Sequence, residues 1–250
     1  ARVLDKNAAA GKANWSNSHT SGRIGRIGLE VLKQKQRGAD PKLSDHEKAD
    51  LAFLATISAH LPSRSVPFLS QNKKPVLVYS DASYEAGFAA PKIGWVVFCR
   101  HNPVPLGRAS EMSPDAVNGL KERSTQIFPG EAFAVYAAIC EHRNILRGQD
   151  IIFFIDNEGV CASLVRGTCK EDDVGSIIQA IHWELHKLNA RAWFEWIDTD
   201  ANCSDGLSRD GLDDEWTKAQ PWDIAWARPP PWEKIMDTRL LVLETLGIAE

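Results

Sequence analysis

From Pro75 onward the chain carries its apolar residues in short, dense blocks. VLVYSDAS, KIGWVVFCR and PLGRAS follow in succession, each rich in apolar or β-branched residues and each set off by Gly, Pro or Asn. Such blocks predict strands, and three in a row predict an antiparallel meander. The stretch from Glu111 to Phe128 is polar with helix-like pieces. Pro129-Gly130 then introduces EAFAVYAAICEHRNIL, where Phe133, Tyr136 and Cys140 recur at helical spacing and predict the first long helix of the body. IIFFID is apolar up to its closing acid, as a central strand buried on both faces should be. EGVCASLVRG, closed by Gly167, predicts the next helix. After Asp172 or Asp173 as cap, VGSIIQAIHWELHKLN places Ile177, Ile181, Leu185 and Leu188 on one helical face. RAWFEWI predicts the last strand, and DGLSRDGLDDEWTKA the final helix of the body.

The order β-β-β-α-β-α-α-β-α predicts an α/β fold with a mixed five-stranded sheet flanked by helices. The sheet is antiparallel across its first three strands and parallel where strands alternate with helices. Ahead of it, residues 1–22 show no apolar period and read as a weakly ordered lead-in. Ile24 to Gln36 predicts an amphipathic helix. Ser44 with Glu47 three residues on forms a capping box before Leu51, Phe53, Leu54 and Ile57. LPSRSVPFLSQNKKP reads as a linker. The expected organisation is therefore a basic lead-in and helical extension over 1–74, the α/β body over 75–219, and a Trp/Pro-rich tail over 220–250 that ends in a short helix at TRLLVLETLG.

Composition changes this picture little. With 250 residues, 44% hydrophobic and 25% charged, the chain is ordinary globular protein. It has neither an apolar run near the roughly 18 residues of a membrane span nor an apolar leader, so an intracellular protein, cytoplasmic or nuclear, is expected. Cys99, Cys140, Cys161, Cys169 and Cys203 include no CxxC pair and read as reduced thiols. Charge is more informative. The net value is -4, yet residues 1–75 hold 13 Lys+Arg against 6 Asp+Glu, leaving 16 against 27 in the remainder. A basic arm ahead of an acidic body could bring phosphates near a metal site, or could be a solvated helical surface.

Four acids fall at predicted element ends: Asp81 closes the first strand, Glu131 opens the long helix, Asp156 closes the buried strand, and Asp205 opens the last helix. In open α/β sheets functional groups converge at strand carboxyl ends. Carboxylates brought together there repel one another unless a cation neutralises them, and magnesium, a hard ion that accepts carboxylate oxygens, suits the need. A pair of such ions about 3.5–4 Å apart could support both the attacking and the leaving oxygen of a phosphodiester. Each acid alone also has a structural reading, as a turn former, a helix-dipole partner or a cap. Asp81 and Asp156, however, each end an apolar strand, where an acid usually has a partner.

The segments VLVYSDASYEAG, GEAFAVYAAI, FFIDNEGVCASLVRG and EWIDTDANCSDGLSR resemble the type 1 ribonuclease H family, and most closely the ribonuclease H domains that follow reverse transcriptase in retroelements. The resemblance spans about residues 75–212, with four short motifs in the family's order. It implies a ribonuclease H-like sheet and a two-metal endonuclease, with Asp81, Glu131, Asp156 and Asp205 as catalytic metal ligands for two Mg2+ ions, Mn2+ being able to substitute. It further implies cleavage of the RNA strand of an RNA/DNA hybrid, read through 2′ hydroxyls, and a reverse transcriptase domain of the same polyprotein as partner.

Ser83, Asn157 and Asn202, beside the expected ligands, are candidates for sugar and phosphate contacts, with turn formation and capping as alternatives. Arg209 is a candidate for phosphate, or a partner of Asp205 or Asp210. Three departures stand out: no His in WIDTDANCSD, Ser204 where the retroelement pattern has Ala, and an acidic EDDVGSIIQAIHWEL where some members carry a basic insertion. Two other classes stay open on the residues, a non-catalytic nucleic-acid-binding module of the same fold and a related integrase or exonuclease. His182 and His186, four apart on a helix, lack the Glu of a zinc motif. Among the tryptophans, Trp95, Trp183 and Trp193 are expected in core or domain-contact positions.

Overall fold

The computed structural model describes residues 11, 23–36, 42–61, 74–85, 90–236 and 238–247. Six strands form one sheet: β1 (Val76–Ser83), β2 (Lys92–Cys99), β3 (Asn102–Glu111), β4 (Asp150–Ile155), β5 (Arg191–Trp196) and β6 (Asp223–Trp226), in the order β5-β4-β1-β2-β3-β6. The meander β1-β2-β3 is antiparallel and the β1-β4 and β4-β5 pairs are parallel, as expected. The sixth strand was not expected. It lies in the Trp/Pro-rich stretch and pairs in parallel with β3, and its four residues, Asp-Ile-Ala-Trp, are too few to show an alternating pattern. Trp232 and Ile235 from the same stretch join the main core.

That core lies between Val76, Val78 and Ala82 of β1 and two long helices. One of these, α4 (Ile127–Glu141), follows α3 (Pro114–Asn118) and is buried over Pro129 to Ile139. It begins before Pro129-Gly130, so Glu131 stands in its second turn. Beyond α5 (Arg143–Leu146) and β4 come α6 (Glu158–Arg166) and the second long helix, α7 (Asp172–Lys187), whose Ile177, Ile181 and Leu185 are buried. Neither Asp172 nor Asp173 caps α7; Glu171 precedes it without a capping hydrogen bond. Trp95 is fully buried and donates through Nε1 to His142 Nε2 at 3.1 Å.

The last helix of the body is broken. α8 (Asp205–Arg209) and α9 (Glu215–Lys218) are separated by a 3-10 turn at Gly211–Asp213, because Gly211 takes a φ of 63° that ends helical continuation. α8 packs on the sheet face opposite α4, with Leu207 against Val96 and Ala109. Gly94 of β2 permits the approach: a Cβ there would lie 2.6 Å from Ser208 N and 2.7 Å from Leu207 Cβ. The replacement Gly94→Ala is therefore expected to push α8 off the sheet and cost about 1–3 kcal/mol. A thermal melt should show the loss, and an unchanged midpoint would mean that α8 moves freely.

In the extension, α1 (Arg26–Gln36) and α2 (Asp45–His60) form as expected, α2 opening on a complete Ser44–Glu47 capping box. With α11 (Thr238–Thr245), which follows α10 (Glu233–Met236), they build a second small core around Ile24, Leu29, Phe53, Leu54, Ile57, Trp183 and Val242. Several cations of the arm are already paired, Lys33 with Glu30 at 2.7 Å, Lys35 with Glu47 at 3.0 Å and Lys48 with Asp45 at 2.8 Å. The expected lead-in and linker fall largely outside the described residues. Among the described residues no helix is long and apolar enough to cross a membrane, and the five cysteines are free thiols.

Candidate active site

Strand pairing alone brings the first two acids together. β1 and β4 run parallel with Ser80 opposite Ile155, so the next residues, Asp81 and Asp156, leave the sheet side by side at its carboxyl edge. α4 delivers Glu131 from one face, close to the strand because Gly130 leaves room: a Cβ there would come within 3.2 Å of Ala82 Cβ. One carboxylate oxygen from each of Asp81, Glu131 and Asp156 lies within 4.8 Å of the others. Asp205 lines the same cleft, of about 380 Å³, but stands outside that group. Its Oδ1 is 2.8 Å from Arg209 Nη2, one of the two partners expected for that arginine.

Burial and mutual repulsion dominate the electrostatics. Asp81 is buried, and that burial pushes its carboxyl up to about 7; the Ser208 hydroxyl opposes the rise, while the charges of Asp156 and Asp205 add to it. Glu131 is driven well above the ordinary range by burial, then by Asp81 and Asp156, against a hydrogen bond from the Ala82 backbone. Burial also raises Asp205, with Arg209 acting the other way. Two oxygens in the group, Glu131 Oε2 and Asp156 Oδ1, are buried without a hydrogen-bond partner. Hard acceptors left unsatisfied at the meeting point of three carboxylates fit a divalent cation with oxygen preference. His182 and His186 form no such group: His182 Nε2 contacts Leu164 O at 3.0 Å, and His186 stacks on Trp183.

The flanking polar residues are held within the fold. Asn157 Oδ1 caps α6 by accepting from Val160 N at 3.1 Å. Asn202 is buried, donates to Ser80 O at 3.1 Å and accepts from Ser204 Oγ at 2.7 Å, pinning the loop before α8 to β1. For these two, the capping and turn alternatives describe the contacts seen. Ser83 Oγ donates to Ser208 O at 2.6 Å, and Arg209 lines the cleft. Trp193 is not in the core: it is 64% exposed on the edge strand β5, where its Nε1 donates to Glu195 at 2.8 Å.

Sequence reasoning passed over Ser208. This fully buried hydroxyl donates to Asp81 Oδ2 and fixes which carboxylate oxygen stays free for the cleft. The only signal was its place in the DGLSR stretch, which assigns no role. Partners of metal-binding side chains typically matter about 10–100-fold in affinity, so Ser208→Ala is expected to weaken Mn2+ binding by that factor in a calorimetric titration. Ser208→Thr, which keeps the hydroxyl, should recover part of it. Equal affinity in wild type and Ser208→Ala would remove the positioning role.

Together, fold and site define an α/β protein with a carboxylate cluster at the carboxyl edge of a mixed sheet. No protein-family model matches the sequence, and no curated protein does. Several solved structures are similar. RNase H1 from the halophilic archaeon Halobacterium salinarum shows 18% identity and a TM-score of 0.44, the match covering 56% of this chain and 98% of that one. The N-terminal RNase H domain of a Mycobacterium tuberculosis protein, solved as a fusion with maltose binding protein, shows 15% identity and a TM-score of 0.39, over 58% and 98% of the two chains. LC11-RNase H1, solved in complex with an RNA/DNA hybrid, shows 12% identity and a TM-score of 0.39, over 55% and 96%.

Proposed function

We propose that this chain is a metal-dependent endonuclease that hydrolyses the RNA strand of RNA/DNA hybrids. One observation carries the reading: three carboxylates from β1, α4 and the end of β4 present oxygens within 4.8 Å of one another, two of those side chains with a buried oxygen lacking any partner. Leaving such a cluster uncompensated is costly, and a phosphodiester cleft is a setting in which cations make it useful. The ordered sequence motifs point to the same chemistry and to a retroelement origin, with a reverse transcriptase domain as the companion.

Asp81, Glu131 and Asp156 would hold the cations, with Asp205 at the rim. Two Mg2+ ions, or Mn2+ in their place, would supply Lewis-acid activation of the attacking water and stabilisation of charge on the leaving 3′ oxygen. The protein's own part is positioning. Ser208 orients Asp81, and Trp196 Nε1, donating to Asp156 O at 3.0 Å, fixes the turn that carries Asp156. Arg209, half-exposed and tethered to Asp205, offers N–H donors to a phosphate at the cleft mouth. Ser83 lines the cleft where a sugar would pass, and Asn157 and Asn202 support the arrangement through the contacts described above.

The test is a panel of labelled hybrid, duplex RNA and duplex DNA incubated with the whole protein in Mg2+ and in Mn2+. Cleavage confined to the RNA strand of the hybrid is the expected result. Equal cleavage of all three substrates would discard the hybrid assignment.

A further inference from the structure

A second cavity, of about 430 Å³, adjoins the carboxylate cleft and shares Thr199, Asp205 and Arg209 with it. The two therefore meet at Asp205 and Arg209, and the second cavity extends from there to the indole of Trp216. We propose that this far end is a nucleobase subsite, in which Trp216 stacks on a guanine of a single-stranded extension that leaves the cleft beyond the paired hybrid. The inference rests on the reading of the cleft as a phosphodiester path.

Three features of the cavity support it. Trp216 is 53% exposed and yet fixed, because its ring sits edge-on against Trp222 at 5.4 Å and 82°, and Trp222 is braced in the same way by Phe98 at 5.9 Å and 88°. An aromatic plane that is both preorganised and open to solvent is what base stacking requires. The volume exceeds that of a single base, so the base need not displace packed side chains.

The polar lining selects among bases. Asp200 and Asp214 border the cavity. Asp214 accepts from Thr217 N with one oxygen, at 2.7 Å, whereas the exposed Asp200 carboxylate has no hydrogen-bond partner among the described residues. A free carboxylate accepts two parallel N–H donors, and guanine presents N1–H and N2–H side by side on its Watson–Crick edge. Uracil presents a single N–H flanked by carbonyl oxygens that the carboxylate repels. The same negative charge disfavours a phosphate in this cavity. A phosphate belongs instead at Arg209, on the side of the cavity toward the cleft.

The experiment is fluorescence anisotropy with labelled RNA pentamers UUGUU and UUUUU, titrated with the whole protein in calcium buffer. UUGUU is expected to bind several-fold tighter. Trp216→Ala should weaken UUGUU binding by about 5- to 150-fold, the range of one base stack, and Trp216→Phe should retain most of the affinity. Asp200→Asn should bring UUGUU down to the level of UUUUU. Unchanged UUGUU binding in Trp216→Ala, or equal binding of the two pentamers to the wild type, would overturn the subsite. Binding that depends on Trp216 in a protein that fails to cleave hybrid would leave the subsite standing and remove the nuclease reading; hybrid cleavage with binding indifferent to Trp216 would do the reverse.

Discussion

Asp156→Asn is expected to reduce hybrid cleavage by about 1000-fold or more while the thermal midpoint stays within a few degrees of wild type. The two halves of this result have separate causes. Asp156 Oδ1 is buried in the cluster and makes no hydrogen bond, so the fold does not depend on that atom. The contact that anchors the turn, from Trp196 Nε1, uses the backbone carbonyl of Asp156 and survives the substitution. Asparagine keeps the shape but loses the negative charge and offers a single weaker oxygen to a cation. Charge stabilisation by a bound cation amounts to several kcal/mol, and each 1.36 kcal/mol lost from the transition state is about tenfold in rate. Residual cleavage within tenfold of wild type, measured on the same labelled hybrid, would place the chemistry elsewhere.

The order of strands and the position of their terminal acids were legible because they depend on local pattern. IIFFID could be read as a buried strand from its apolar run, and a parallel neighbour then puts Asp156 beside Asp81 without further information. The meander and the Ser44 capping box are equally local. What could not be read depends on contacts between distant segments. β6 is a four-residue strand that exists because β3 offers it a free edge. α8 lies against the sheet because Gly94, more than a hundred positions earlier, lacks a side chain. Ser208 and Asn202 take their roles from the same docking. Trp193 was misplaced for a related reason: an aromatic in an apolar strand reads as core, and only the sheet order reveals that β5 is an edge.

Replacing Asp81 by asparagine should stabilise the metal-free protein, although it disables the site. Burial, and behind it the charges of Asp156 and Asp205, hold the Asp81 carboxyl at about 7 against an ordinary value of 3.8. Between those two values the folded chain keeps a proton that the unfolded chain has released. Stability therefore falls as pH rises from about 4 to 7, and remains at its low level above. Each unit of displacement corresponds to 1.36 kcal/mol, and for a group coupled to its neighbours the expected penalty is about 1–4 kcal/mol. The asparagine side chain cannot ionise and escapes it. In EDTA at pH 8, Asp81→Asn is expected to melt several degrees above wild type, by the scaling of about 2–4 °C per kcal/mol for a chain of this size. The gap should narrow toward pH 4 and close below the ordinary value of 3.8, where wild-type Asp81 becomes protonated in both states. Adding Mg2+ should raise wild type alone and reverse the order, since a ligand that binds only the folded site stabilises in proportion to its occupancy. A variant that melts below wild type in EDTA at pH 8 would show that the three carboxylates coexist without strain, and the case for a cation at their centre would lose its physical basis.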